Sequence, residues 1–172
     1  MSKNLLGLAM TLCMICVAIT GCNKSNRPAD LPKLYKCQLT FKQDGVPMEN
    51  ANIIFYSTDP SFKWSVGGST DARGGVDIVT HGQFFGAPEG SYKIVISKTE
   101  SVQEGPVREL PPDVDPASIM QAAGMLSVYT FVEKQYADVE TTPLTITIAK
   151  GKNTQEYECG KAIRELLRRV AP

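Results

Sequence analysis

Apolar residues recur at every second position in short runs, and glycine, proline or aspartate closes each run. Tyr35, Cys37, Leu39 and Phe41 alternate with Lys36, Gln38 and Thr40, the pattern of a strand buried on one face. Gln43-Asp44-Gly45 supplies a turn, and Ala51 to Ser57 reads as a second strand. Ser65 to Thr70 and Gly75 to Thr80 flank Asp71-Ala72-Arg73-Gly74. There Asp bonds its own backbone and Gly tolerates the left-handed conformation, so a hairpin is expected. Gly86-Ala87-Pro88-Glu89-Gly90 leads into Ser91 to Lys98, where Tyr92, Ile94 and Ile96 alternate with Lys93, Val95 and Ser97. Leu144, Ile146 and Ile148 repeat the pattern, and Thr154 to Cys159 follows Gly151. About seven such strands predict an all-β chain folded as an antiparallel β-sandwich.

Two segments break the rhythm. Between Glu100 and Thr142, Pro106, Pro111, Pro112 and Pro116 exclude a continuous central strand. Asp115-Pro116 reads as an N-cap with proline at the first helical position, which predicts a short helix over Ala117 to Met125; Ser127 to Val132 fits a further strand. After Gly160, residues Ile163, Leu166, Leu167 and Val170 fall at helical spacing among Lys161, Arg164, Arg168 and Arg169. An amphipathic C-terminal helix over 160–172 is the expectation, packed on the domain or turned to anionic lipid.

The first residues have a different character. Lys3 precedes an almost unbroken apolar run from Leu5 to Ile19, about 15 residues and short of the roughly 20 that span a bilayer. Ile19-Thr20-Gly21-Cys22 resembles the bacterial lipobox. The resemblance implies cleavage before Cys22, lipid on its thiol and export of residues 22 onward, with 1–21 as signal peptide. Two or three acyl chains hold a protein stably, at about 0.8 kcal/mol per buried CH₂. Asn23 stands where an inner-membrane retention signal has Asp, so the outer membrane is favoured. Asn23 to Lys33, polar and with two prolines, is a tether. Of five cysteines, Cys13 and Cys16 fall in the removed leader and Cys22 takes lipid, leaving Cys37 and Cys159 in an oxidising compartment.

The stretch from Leu34 to Glu158 resembles carboxypeptidase-regulatory-like, or transthyretin-like, domains. Gly45-Val46-Pro47 followed by Ala51 to Phe55 matches their turn and second strand. Ser69 to Gly75 is similar to their Thr-Asp-x-x-Gly hairpin, and Gly90-Ser91-Tyr92-Lys93-Ile94 to their Gly-x-Tyr-x-Val entry. Glu133 to Asp138 with Thr142-Pro143-Leu144-Thr145 resembles a version common in anchored proteins of planctomycete-like bacteria. Cys37 and Gly75-Val76 depart from the usual residues. First and last strands can be neighbours in such folds. With Cys37 on the face of Leu39 and Phe41, and Cys159 on that of Tyr157, a Cys37–Cys159 disulfide is expected, closing almost the whole of the domain 34–159.

Little in the chain points to catalysis. His81 is the single histidine, in a turn-rich loop without a spaced metal-ligand partner. Ser91 and Ser97 sit in a strand, and no Gly-x-Ser-x-Gly elbow occurs. The hydroxyisourate hydrolases, an enzymatic branch of the transthyretin-like fold, use more than one histidine and a Tyr-Arg-Gly-Ser tail; this chain has neither. Glu109, Asp113 and Asp115 fit no calcium loop and read as a solvated segment. Lys+Arg and Asp+Glu are equal at 18 each, so no whole-molecule pull on nucleic acid is expected. The sequence thus predicts a non-catalytic protein without cofactor or metal, tied to a membrane through Cys22 and contacting envelope proteins. The alternative is glycan or peptide binding through the loop aromatics Phe62, Trp64 and Phe84.

Overall fold

The structure is a computed structural model that describes residues 27–104 and 125–170. The leader, its Cys22 and the acidic Glu109–Asp115 segment lie outside the described residues. So does the predicted helix over Ala117–Met125, apart from Met125, which opens a strand. Every element below belongs to the unit Pro32–Pro172.

The predicted runs became strands. β2 (Cys37–Gln43) buries Cys37, Leu39, Phe41 and Gln43 and leaves the residues between them half-buried. β4 (Asn52–Ser57) buries Ile53 and Phe55, and β10 (Gly90–Ser97) buries Tyr92, Ile94 and Ile96. β13 (Thr145–Ile148) buries Ile146 and Ile148. With β5 (Val66–Ser69), β7 (Val79–Thr80) and β8 (Phe84–Phe85) these form a six-stranded antiparallel sheet in the order β13-β10-β4-β5-β7-β8. A second sheet is β14-β2-β3, with β3 (Val46–Pro47), β14 (Asn153–Glu158), and β6 (Gly75–Asp77) also paired to β2. β1 (Leu34–Tyr35) pairs with β9 (Ala87–Pro88). The inward residues of both large sheets share one core, in which the Phe41 and Tyr157 rings stack at 5.2 Å. The chain is therefore all-β, with several antiparallel sheets and an arrangement consistent with a β-sandwich.

Three expectations need correction. The Asp71–Gly75 turn forms: Asp71 Oδ1 accepts from the Arg73 and Gly75 amides at 2.9 and 2.8 Å, and Gly74 takes φ +71°. Yet β5 pairs with β4 and β7, whereas β6 pairs with β2. The turn is a corner between two sheets and not a hairpin within one. Turn chemistry fixed the reversal, and the free edge of β2 decided the partner.

The first and last long strands are indeed neighbours, but β14 runs parallel to β2, with Asn153 opposite Cys37 and Glu158 opposite Lys42. Cys37 and Cys159 consequently stand at opposite ends of the pair, about 20 Å apart at roughly 3.3 Å per residue. Both are buried free thiols, so no disulfide closes the domain. Face alternation was read correctly; strand direction, which alternation does not encode, was not.

The C-terminal helix is replaced by β15 (Glu165–Val170), the third strand of an antiparallel sheet β11-β12-β15 with β11 (Thr99–Glu104) and β12 (Met125–Thr130). A helix of a dozen residues is marginal alone. Here β12 offers a six-residue partner, and the chain is steered to it. Gln43 Nε2 donates to the Phe131 and Lys161 carbonyls at 3.0 and 2.9 Å, and the Ala162 amide donates to Asp44 Oδ2 at 2.8 Å.

Candidate functional site

The loop between β4 and β5 builds an aromatic cleft. Asp59 Oδ1 accepts from the Ser61 amide at 2.9 Å and its hydroxyl at 2.7 Å. Those bonds, the hydroxyl first, hold its carboxyl below the usual carboxylate range. The Thr58 amide and hydroxyl both donate to the Ser91 carbonyl, tying the loop to β10. So fixed, Phe62 meets core Tyr92 edge-on at 5.6 Å, and Trp64 meets His81 in the same way at 5.6 Å. Lys63 Nζ lies 5.5 Å from the Trp64 ring centre. Tyr56, Asp59, Phe62 and Trp64 line a cleft of about 410 Å³. Two of the three singled-out aromatics thus share one site. Phe84 is not part of it; it sits on β8 opposite Thr80.

Of two further exposed aromatics, sequence reasoning passed over Tyr56 and noted Phe85 only as the neighbour of Phe84 in an aromatic pair. Tyr56 was legible, because alternation from Ile53 and Phe55 points it outward. Phe85 is 77% exposed, on the outermost strand of the six-stranded sheet. It flanks a second cleft of about 300 Å³ with Lys36, Cys37, Asp77 and Ile78. The Phe84-Phe85 pair was visible in the sequence; which ring faced out depended on pairing with β7.

A larger polar cleft, about 530 Å³, lies at the sheet corner and includes Gln38, Thr40, Asp71, Arg73 and Thr154. Asp71 is engaged by the turn: the Gly75 and Arg73 amides, in that order, lower its pKa, and Arg73 is 3.6 Å away. Burial raises the Cys159 thiol to about 12 and also pushes Cys37 up, so both are protonated thiols packed as small apolar groups. His81 takes φ +54° and its amide donates to the Ser65 carbonyl at 2.8 Å, a turn role. Among the described residues no three His, Cys, Asp or Glu gather as metal ligands, and no helix is long and apolar enough to cross a membrane.

The third surface is the β11-β12-β15 sheet, where Val102, Leu126, Leu166 and Leu167 are exposed. Arg164 lies 4.1 Å over the Tyr129 ring, and Lys98 Nζ is 5.9 Å from that of Phe131. No protein-family model, curated protein or solved structure matches this chain.

Proposed function

We propose that the chain is a lipid-anchored, non-catalytic envelope protein whose transthyretin-like domain serves as a structural or protein-interaction module. Lipid on Cys22 and a polar tether to Lys33 hold it to a membrane, with the outer membrane favoured by Asn23. The observation carrying the interaction role is Phe85: a large apolar side chain, 77% exposed on an edge strand beside a cleft, is the kind of anchor that partner proteins bury. The cleft of Tyr56, Phe62 and Trp64 supports a second reading, capture of a sugar ring or peptide by stacking with Asp59 as acceptor.

A photo-crosslinking residue placed at Phe85, and separately at Trp64, distinguishes the two in the native envelope. Polypeptide adducts from position 85 are expected. Carbohydrate adducts from position 64, with none at 85, would favour the second reading over the first.

A further inference from the structure

The polar cleft at the sheet corner is lined by side chains that the fold itself does not use. Cys37, Leu39 and Phe41 point into the core, so Gln38 and Thr40 point outward and lie half-buried on its floor. Thr154 on β14 and Asp77 on β6 stand opposite Gln38, one on each side, and complete a row of three. Neighbouring strands are about 4.8 Å apart, so this row spans roughly 10 Å. In the next row Thr40 faces Gly75, which brings no side chain and leaves the space beside it open. The turn walls that space with Asp71 and Arg73; a Cβ on Gly75 would stand 3.3 Å from Asp71 Oδ1.

The resulting volume, about 530 Å³, falls within the roughly 300–1,000 Å³ of small-molecule sites. Among the described residues, the side chains of Gln38, Thr40, Asp77 and Thr154 have no hydrogen-bond or ion-pair partner within the protein. Glu156, on the other flank of Thr40, is taken by Lys42 at 2.7 Å. The four free groups are one amide, two hydroxyls and one carboxylate, so they offer donors as well as acceptors.

That inventory selects among ligands. An anion meets two carboxylates, Asp71 and Asp77, against Arg73 alone, whose guanidinium already lies 3.6 Å from Asp71. A metal ion finds no cluster of three ligands among the described residues. An organic cation would have only the exposed Asp77 to pair with, and an exposed ion pair contributes little. A peptide cannot add as a strand to β2, which is bonded on both sides over Gln38–Thr40. Nor does an apolar anchor find a seat, because Leu39 and Val76 in the lining are buried. A sugar ring fits, since each hydroxyl both donates and accepts.

We infer that this cleft binds an uncharged saccharide, whose ring hydroxyls donate to Asp77 and exchange hydrogen bonds with Gln38, Thr40 and Thr154. The inference goes beyond the protein-contact reading. Its cleft shares Asp77 with the one beside Phe85 and no residue with the aromatic cleft.

The mature chain from Asn23, made without lipid, keeps the whole Pro32–Pro172 unit. An array of uncharged oligosaccharides of glucose, mannose and N-acetylglucosamine, printed beside uronic-acid chains, tests it for binding. Titration calorimetry with the tightest binder then measures affinity. Uncharged chains should bind in preference to acidic ones. Asp77→Ala should weaken binding about 10-fold or more, the loss of a hydrogen bond to a charged group, and Gln38→Ala about 5-fold. Neither side chain bonds to the protein, so melting temperatures should hold. Thr154→Arg, on the exposed flank of β14, should block the cleft by bulk and decides the matter where Gln38→Ala melts early. Trp64→Ala should bind as the parent does. Absence of binding to any chain on the array overturns the inference, as does a preference for the uronic-acid chains. Binding lost in Trp64→Ala but kept in Asp77→Ala and Thr154→Arg overturns it in favour of the aromatic cleft.

Discussion

Gln43 joins three parts of the fold through one side chain, and its loss should be felt throughout. Its amide nitrogen has two hydrogens, and both are used: on Phe131 O, just after β12, and on Lys161 O, just before β15. The residue is 7% exposed and points inward on the face of Phe41, a place where polar side chains persist only when satisfied. Gln43→Met keeps length and volume and deletes both donors. Each bond contributes about 0.5–1.5 kcal/mol net, so losing both is expected to cost about 2 kcal/mol. For a domain of this size that lowers the melting temperature by roughly 5–10 °C. Circular dichroism melts of the mature domain measure it, with Gln155→Met, an exposed glutamine on β14, as the control. A shift below about 2 °C, no larger than the control's, would refute the role assigned to Gln43.

Alkaline pH should destabilise the domain. Burial raises Tyr92 and Tyr157 from 10.0, and Cys159 from 9.0, each to about 12. The folded chain therefore holds these protons longer than the unfolded one; stability is full below about pH 9 and falls as pH rises towards 12. Urea midpoints across that range check the sign, and a midpoint that climbs with pH contradicts it. Gly74→Ala should destabilise by more than about 2 kcal/mol in urea titration, because φ is +71° and the added Cβ would meet the Phe41 carbonyl oxygen. Gly45→Ala, at φ +73° in open space, should lose only about 1 kcal/mol. After denaturation without reductant, the mature chain should present Cys37 and Cys159 as two alkylatable thiols. Both should react slowly while folded, and a bridged pair would present neither.

What the sequence made legible was local. Period-two alternation placed Leu39, Phe41, Tyr92, Ile94, Ile96, Ile146 and Ile148 in the core, where the structure has them. Turn residues located the reversals, including the one at Asp71. Partner choice was not local, and the misreadings share that cause. The residues around Asp71 cannot say whether the returning strand joins β4 or β2. Nor does inward-facing Cys159 reveal that β14 runs parallel to β2, a direction set by the Ala149–Lys152 turn that Asn153 closes with two 3.0 Å bonds to Ala149. Ile163, Leu166, Leu167 and Val170 fit a helix by spacing, but Gln43, Asp44 and β12, distant in sequence, draw them into a strand. The aromatic cleft was half legible for a related reason. Phe62 and Trp64 belong to one loop, whereas Phe84, expected in a loop as well, stands on β8.

The central claim, a β-sandwich-like domain held to a membrane by lipid on Cys22, is tested most directly by mass spectrometry of the N-terminal peptide from the protein in its native envelope. The expected peptide begins at Cys22 and carries a diacylglycerol on the thiol and an acyl group on the amine. A peptide that retains Gly21, or that begins at Cys22 with a free thiol, would contradict the account.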